Sequence, residues 1–214
     1  MKPEAAESID ERYVVRDLAT LLTHYGTPPP TSLTKEVPYI NPHYRTIIEA
    51  SPFVALATSG DGGLDCTPRG DHPGFVRVVD EHTVMLPDRP GNNRIDSLRN
   101  LMEDPRVALL FMVPGMSETL RINGRALISV DPALLESFAI DGKRPRSVLV
   151  VTVVSVYFQC AKALVRSKLW DPSTRVERAA LPTPGMILAD ISRGAVDGAT
   201  FDRDLPARIR AQLY

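Results

Sequence analysis

The sequence is poor in the features that announce most chemistries. It has two cysteines, Cys66 and Cys160, far apart in a chain of 214 residues. That excludes a disulfide-dense scaffold and fits free thiols in a reducing compartment. Four histidines, His24, His43, His72 and His82, show no metal-ligand spacing and no cysteine companions, so no zinc site is expected. GxGxxG, GxxxxGK[ST] and GxSxG are all absent, which leaves a Rossmann unit, a P-loop and an α/β-hydrolase nucleophile unsupported. No carboxylate pair stands out as an acid/base couple. If the protein is an enzyme, a cofactor is expected to supply the reactive atoms. Charge of one sign is also lacking: 25 basic residues face 26 acidic ones, so nothing global points to nucleic acid. No apolar run reaches the roughly 20 residues needed to cross a bilayer. The start, "MKPEAAESIDERY", is acidic and has no apolar core, so it does not read as a signal peptide. A cytoplasmic protein without nucleic-acid or membrane partners is the expectation.

What is present is a core and its punctuation. Hydrophobic residues make up 43% of the chain, enough for one large domain with trimmings. The 19 prolines exceed the usual share of about 5% and cluster at "TPPPTS", "DRPGNN" and "LPTPG", between elements. Apolar spacing predicts helices at 11–24 and 42–50. The period then changes, and strands are expected at 53–60, 64–71, 74–80 and 83–88. A helix near 92–103, strands at 106–113 and 118–130 (with a bend at Gly124), a capped helix at 131–139 and a Val-rich strand at 147–158 complete the middle. Residues 161–170 read as a helix or an extended segment, and helices are expected at 185–191 and 205–214. Strands in hairpin succession with short helices between them argue for an antiparallel barrel with peripheral helices, not a parallel βαβ sheet.

Four stretches carry polar groups worth weighing. In "PDRPGNNRIDSLRN" (87–100), Asn92 or Asn93 can cap a helix whose start, with Arg94 beside it, suits a phosphate. An ordinary cap with a solvated arginine explains the same residues. In "CTPRGD" (66–71), Thr67 and Arg69 share a strand face and can hold an anion, or Arg69 can simply pair with Asp65 or Asp71. In "SETLRING" (117–124), Thr119, Arg121 and Asn123 line one face, either of a polar cavity or of a solvated strand. "CAKALVRSKLW" (160–170) combines Lys162, Arg166, Lys168 and Trp170, the only tryptophan. It can grip a flat anion or form an amphipathic helix with snorkelling cations.

The order of these pieces resembles the pyridoxamine 5'-phosphate oxidase-like family of flavin-binding split-barrel proteins. An Arg-bearing strand is followed by "PDRPGNNRIDSLRNLMEDPRVALLFMVPG" and then "ETLRINGRA"; "DPRVALLF" (104–111) and "INGRA" (122–126) fill the family's places. The resemblance covers roughly residues 40–170. It implies a mainly β fold, a six-stranded antiparallel split β-barrel at 41–170, between an N-terminal helical extension (1–40) and a C-terminal helical tail (171–214). It implies a homodimer with FMN at the subunit interface, and an oxidoreductase passing hydride or electrons through flavin N5 to or from a small-molecule substrate. Asn93 and Arg94 fall where the family holds the FMN phosphate, and Arg69 and Thr67 where it meets phosphate and ribityl. Pro87 and Asp88 fall beside the isoalloxazine edge, Thr119 against the ring, and Arg166, Ser167 and Trp170 in the segment that closes over it. The tail "LPARIRAQLY" lacks the histidine of the vitamin-synthesising oxidases, and Asn93 replaces their second basic residue. The resemblance is therefore to the broad branch of the family. A flavin carrier or redox sensor, a haem-binding relative using His72, and a deazaflavin-dependent reductase are the alternatives.

Overall fold

A computed structural model describes residues 9–214. The first eight residues, part of the segment weighed as a signal peptide and of the expected N-terminal extension, lie outside the described residues. The chain divides into two compact units, Met1–Lys35 and Glu36–Tyr214. In the first, the helix expected at 11–24 is broken in two. A 3-10 turn spans Glu11–Tyr13, and helix α1 spans Leu18–Thr23. The break has a local cause: Asp17 takes extended backbone and accepts from Thr20 N at 2.8 Å, so it caps a new helix. Helix α2 (Pro30–Thr34) follows, with Pro30 and Thr31 at its start.

The second unit is built on one antiparallel sheet of seven strands, one more than the six expected. The strands are β1 (Phe53–Gly60), β2 (Gly63–Gly70), β3 (Arg77–Asp80), β4 (Thr83–Asp88), β5 (Arg106–Met112), β6 (Thr119–Ser129) and β7 (Ser147–Gln159). Their order is β2-β1-β5-β6-β7-β4-β3. Alternation puts Val54 and Leu56, Leu109 and Phe111, Leu120 and Ile122, Leu149 and Val151, and Val84 and Leu86 on one face. These residues, with Ile48 and Tyr44 of helix α3 (Pro42–Ala50), form a single core cluster. One core drawn from both arms of the sheet means that the sheet curls around it, as a split barrel does. Burying about ten such side chains at roughly 2 kcal/mol each is the main favourable term.

Two features of the sheet depart from the sequence reading. Gly124 lies within one unbroken strand, β6, beside the register shift against β7. It sits where a Cβ would lie 2.5 Å from the Thr152 carbonyl oxygen, so glycine is there for close approach. The irregularity is a bulge in β7, where Asn123 faces Ser155 but Gly124 faces Val153, leaving Val154 as the extra residue. Helix α4 (Asp96–Glu103) starts later than expected because Asn93 and Ile95 both hold left-handed backbone, at φ 61° and 54°. Helices α5 (Pro132–Ser137), capped by Asp131 as expected, and α6 (Lys162–Ser167) are short. Helices α7 (Pro184–Ile191) and α8 (Gly198–Gln212) pack on each other through the close approach of Gly185 and Gly198. Helix α8 begins well before the expected position and carries Pro206 within it.

Candidate functional site

The barrel's split lies where the end of β2 faces the end of β4, strands that are not ladder neighbours. On β2, Asp65, Thr67 and Arg69 pair with Thr58, Leu56 and Val54, so they share the inward face. On β4, Asp88 follows Leu86 at period two and also faces inward, opposite Ser147 of β7. Side chains then join the two ends. Arg69 Nη1 lies 2.9 Å from Asp88 Oδ1, with the two side chains 24% and 12% exposed. Just beyond, Arg89 Nε donates to Asp71 Oδ2 at 3.0 Å. The two bridges are reciprocal: a cation from the first end meets an anion from the second, and then the reverse. Neither Asp65 nor Asp71 is the partner of Arg69, contrary to the simplest sequence reading.

The Arg69–Asp88 pair is incompletely satisfied. Among the described residues, two buried side-chain polar atoms have no hydrogen-bond partner, Arg69 Nε and Ser147 Oγ. Both belong to residues flanking Asp88. Buried polar atoms are paired in over roughly nine cases in ten, so one orphan on the ion-pair partner of Asp88 and another on the strand residue opposite it mark a place for polar contact. Burial pushes the Asp88 carboxyl above its ordinary range, against the opposing pull of Arg69 and Arg146. At Asp71 burial also raises the carboxyl, but hydrogen bonds from His72 N, Tyr214 and Arg89 outweigh it and leave the group lowered.

Helix α4 brings its first turn to the same face of β2. Ser97 Oγ donates to Asp65 Oδ2 at 2.5 Å and lies 3.4 Å from Thr67 Oγ1. The helix start carries no side-chain cap. Its N-cap is Ile95, and neither Asn92 nor Asn93 serves. Asn92 Oδ1 instead accepts from Arg94 N at 3.1 Å, closing the turn before the helix. Arg94 is exposed and paired with Asp96 at 2.8 Å, and that hydrogen bond raises its pKa. Thr67, Arg69 and Asp88 therefore meet at the split, with Asn93 and Arg94 in the loop that leads into α4. Pro87 turns to the other face of β4, opposite Val148.

The remaining candidates form a second group. Leu120 belongs to the core, so its neighbour Thr119 points to the outer face of the sheet although it is buried. Arg121 and Asn123 share that face and meet their cross-strand partners Tyr157 at 3.1 Å and Ser155 at 3.3 Å. Trp170 Nε1 donates to the Met116 carbonyl at 2.7 Å, which ties the segment after α6 to the loop before β6. Ser167 spends its hydroxyl on Leu164 O at 3.1 Å, and Arg166 is exposed. A groove of about 610 Å³ opens on this outer face, lined by Ala57, Ser59, Ala108, Asn123, Arg125 and Val154. The small side chains Ala57, Ser59 and Ala108 and the bulge residue Val154 lie along it, with Leu64 and Arg106.

Asp65, Asp71, Arg89, Ser97, Ser147 and Tyr214 were not singled out by sequence reasoning as site residues. The one signal pointing to some of them was the mirrored charge order of "RGD" and "DR" at the two strand ends. Among the described residues there is no cluster of three or more metal-ligating side chains, and no helix is long and apolar enough to cross a membrane.

Comparisons with known proteins follow this geometry. Solved structures similar to this chain include HupZ from Group A Streptococcus, at 18% identity over 56% of this chain and 93% of that one, TM-score 0.46. An FMN-binding protein from Syntrophomonas wolfei is similar at 11% identity over 54% and 83%, TM-score 0.42. A FAD-binding protein from Mesorhizobium loti is similar at 16% identity over 53% and 87%, TM-score 0.37. No match was found among curated proteins. The sequence pattern of the pyridoxamine 5'-phosphate oxidase family matches residues 40–160, a stretch that takes in every strand of the barrel and the whole of the split. By that match, over more than half of its length, the chain belongs to the pyridoxamine 5'-phosphate oxidase family.

Proposed function

We propose that this protein binds FMN at the split between β2 and β4 and works as an FMN-dependent oxidoreductase on a small molecule. The observation that carries the reading is the pair of orphaned polar atoms, Arg69 Nε and Ser147 Oγ, at the buried Asp88. The uncapped start of α4, with a guanidinium in the loop before it, meets the same strand as Arg69 through Ser97, at Asp65 and Thr67. That donor set fits a phosphate ester with a polyol chain. Helix-start amides and a charged arginine favour the dianion, and charge-assisted hydrogen bonds are roughly twice as strong as neutral ones. Arg94 holds the phosphate, Asn93 fixes the left-handed turn that presents it, and Thr67 and Arg69 meet the ribityl chain. Asp88 accepts a proton-bearing edge of the ring, and Pro87, on the other face of β4, fixes the backbone before it. Bound FMN supplies hydride or electron transfer at N5. The protein's residues bind, orient and exclude water, and no side-chain nucleophile is required.

The same reading makes the protein a homodimer. Arg69 lies on the inward face of the sheet and Thr119 on the outward face, so one copy does not offer both to one ligand. Two copies can, if the outer face of one, with Thr119, Trp170 and Arg166, covers the split of the other. Exposed Leu127 and Val154 on that outer face, and the groove between them and β1, suit burial against a second chain. The barrel at 41–170 then forms the flavin domain, and residues 171–214 a tail on the barrel or its partner.

The test is an FMN titration followed by absorption and flavin fluorescence, repeated with riboflavin. Arg94→Ala is expected to weaken FMN about tenfold more than riboflavin, since one charge-assisted contact is worth about 1.5–3 kcal/mol and only FMN carries the phosphate. Equal losses for both ligands would place Arg94 away from the phosphate.

A further inference from the structure

The split is held by more than the Arg69–Asp88 pair. Tyr214, which follows α8, donates its hydroxyl to Asp71 Oδ1 at 2.8 Å. The other oxygen of Asp71 takes Arg89, and the Arg89 guanidinium lies 5.5 Å from the centre of the Tyr214 ring. Arg89 also donates to the Phe138 carbonyl at 2.9 Å. Arg77 stacks on the Phe138 ring at 3.6 Å and donates to Ser137 Oγ at 2.9 Å. Five segments thus converge: the end of β2, the start of β3, the end of β4, the end of α5 and the second residue after α8. Asp71 stands two residues beyond Arg69, and Arg89 one beyond Asp88. The side chain of Asp71 is almost wholly buried, 2% exposed, and that of Arg89 is 14% exposed. A charged pair that far from solvent holds its geometry tightly, because a lost partner leaves an uncompensated buried charge.

We propose that Tyr214, acting through Asp71 and Arg89, is a positioning residue for the ligand site at the split. It clamps the ends of β2 and β4 to each other, which no ladder hydrogen bond does. The clamp fixes the separation of Arg69 and Asp88 and so sets how readily a ligand enters and leaves. The segment α7–α8 becomes a strap whose end governs the split. What the site takes rests on the flavin reading above; the clamp itself does not.

The experiment uses the full chain with Tyr214→Phe, which removes the hydroxyl and keeps the ring. A second variant exchanges the charges, Asp71→Arg with Arg89→Asp, and a third carries Asp71→Arg alone. Amide hydrogen exchange is measured without added flavin at residues 67–71 and 86–89, and FMN release is measured by recovery of flavin fluorescence. For Tyr214→Phe, exchange at both strand ends is expected to quicken about tenfold, as is FMN release, consistent with loss of one hydrogen bond to a charged group. The thermal midpoint is expected to fall by about 3–6 °C, the global cost of that one hydrogen bond, and amides of β6 to quicken by no more than the two strand ends. The charge-exchanged pair is expected to recover protection that Asp71→Arg alone loses. Unchanged exchange at both ends would overturn the clamp. So would acceleration of β6 amides beyond that of the two strand ends, which would mean general loosening. If the wild type binds no FMN, the flavin reading fails while the exchange data still decide the clamp.

Discussion

Replacing Arg69 by methionine keeps most of the aliphatic stem and removes the charge that faces Asp88. Breaking a fully buried ion pair by deleting one partner costs about 3–5 kcal/mol. Here Arg69 is 24% exposed and Asp88 12%, and Arg146 also acts on the carboxyl, so the cost falls to roughly 2–3 kcal/mol. For a chain of this size that is a fall in Tm of about 5–10 °C. The pH dependence has a definite sign. Burial already holds the Asp88 carboxyl above its ordinary value. A carboxyl raised in the fold binds more protons there than in the unfolded chain. Its contribution therefore favours the fold at low pH and is lost as pH rises through the folded value. Losing Arg69 raises that folded value further, so the deficit of Arg69→Met against wild type is greatest where the carboxylate is charged and shrinks as pH falls through the folded value. Adding Asp88→Asn removes the stranded charge and is expected to restore all but about 1 kcal/mol. Urea denaturation of the wild type, Arg69→Met and the double variant at two pH values measures each quantity. A loss below about 0.5 kcal/mol for Arg69→Met at neutral pH, or no recovery in the double variant, would refute the account of a buried pair closing the split.

Other substitutions probe the surrounding frame. Gly124→Ala sets a Cβ against the Thr152 carbonyl at 2.5 Å and is expected to cost about 1–3 kcal/mol by thermal melt, with the neighbouring β7 bulge disturbed in amide exchange. Ser97→Ala removes the hydroxyl bound to Asp65 and near Thr67, and is expected to cost about 1.5–3 kcal/mol and to speed amide exchange in the first turn of α4. If FMN binds as proposed, adding salt is expected to weaken FMN more than riboflavin, because Arg94 is exposed and its attraction to phosphate is screened.

Much of the barrel was legible in the sequence because burial is periodic there. Val54–Leu56 and Leu109–Phe111 alternate with half-buried or exposed neighbours, and the strands lie close to the expected places. Asp131 and the proline after it announced α5 by local chemistry alone. The misses have physical causes. Nothing local reveals that Asn93 and Ile95 adopt left-handed backbone, so the start of α4 was set too early and the wrong residues were expected to cap it. The bulge at Val154 depends on register against β6, which alternation within β7 does not contain. The site divides in the same way. Thr67 and Arg69 shared a face by spacing, and Thr119, Arg121 and Asn123 shared another. The partner of Arg69 lies across the split in Asp88, and only the curl of the sheet brings the two together. Tyr214 was invisible for the same reason: its partner, Asp71, lies 143 residues away in the chain.

The central claim is that the split holds FMN, and equilibrium titration of the purified protein with FMN tests it most directly. The account predicts saturable binding in the micromolar range or tighter, one FMN per chain, with a shifted flavin absorption band and binding weakened by Arg69→Met and Arg94→Ala. The absence of any spectral change through high micromolar FMN, or binding that both variants leave untouched, would contradict it.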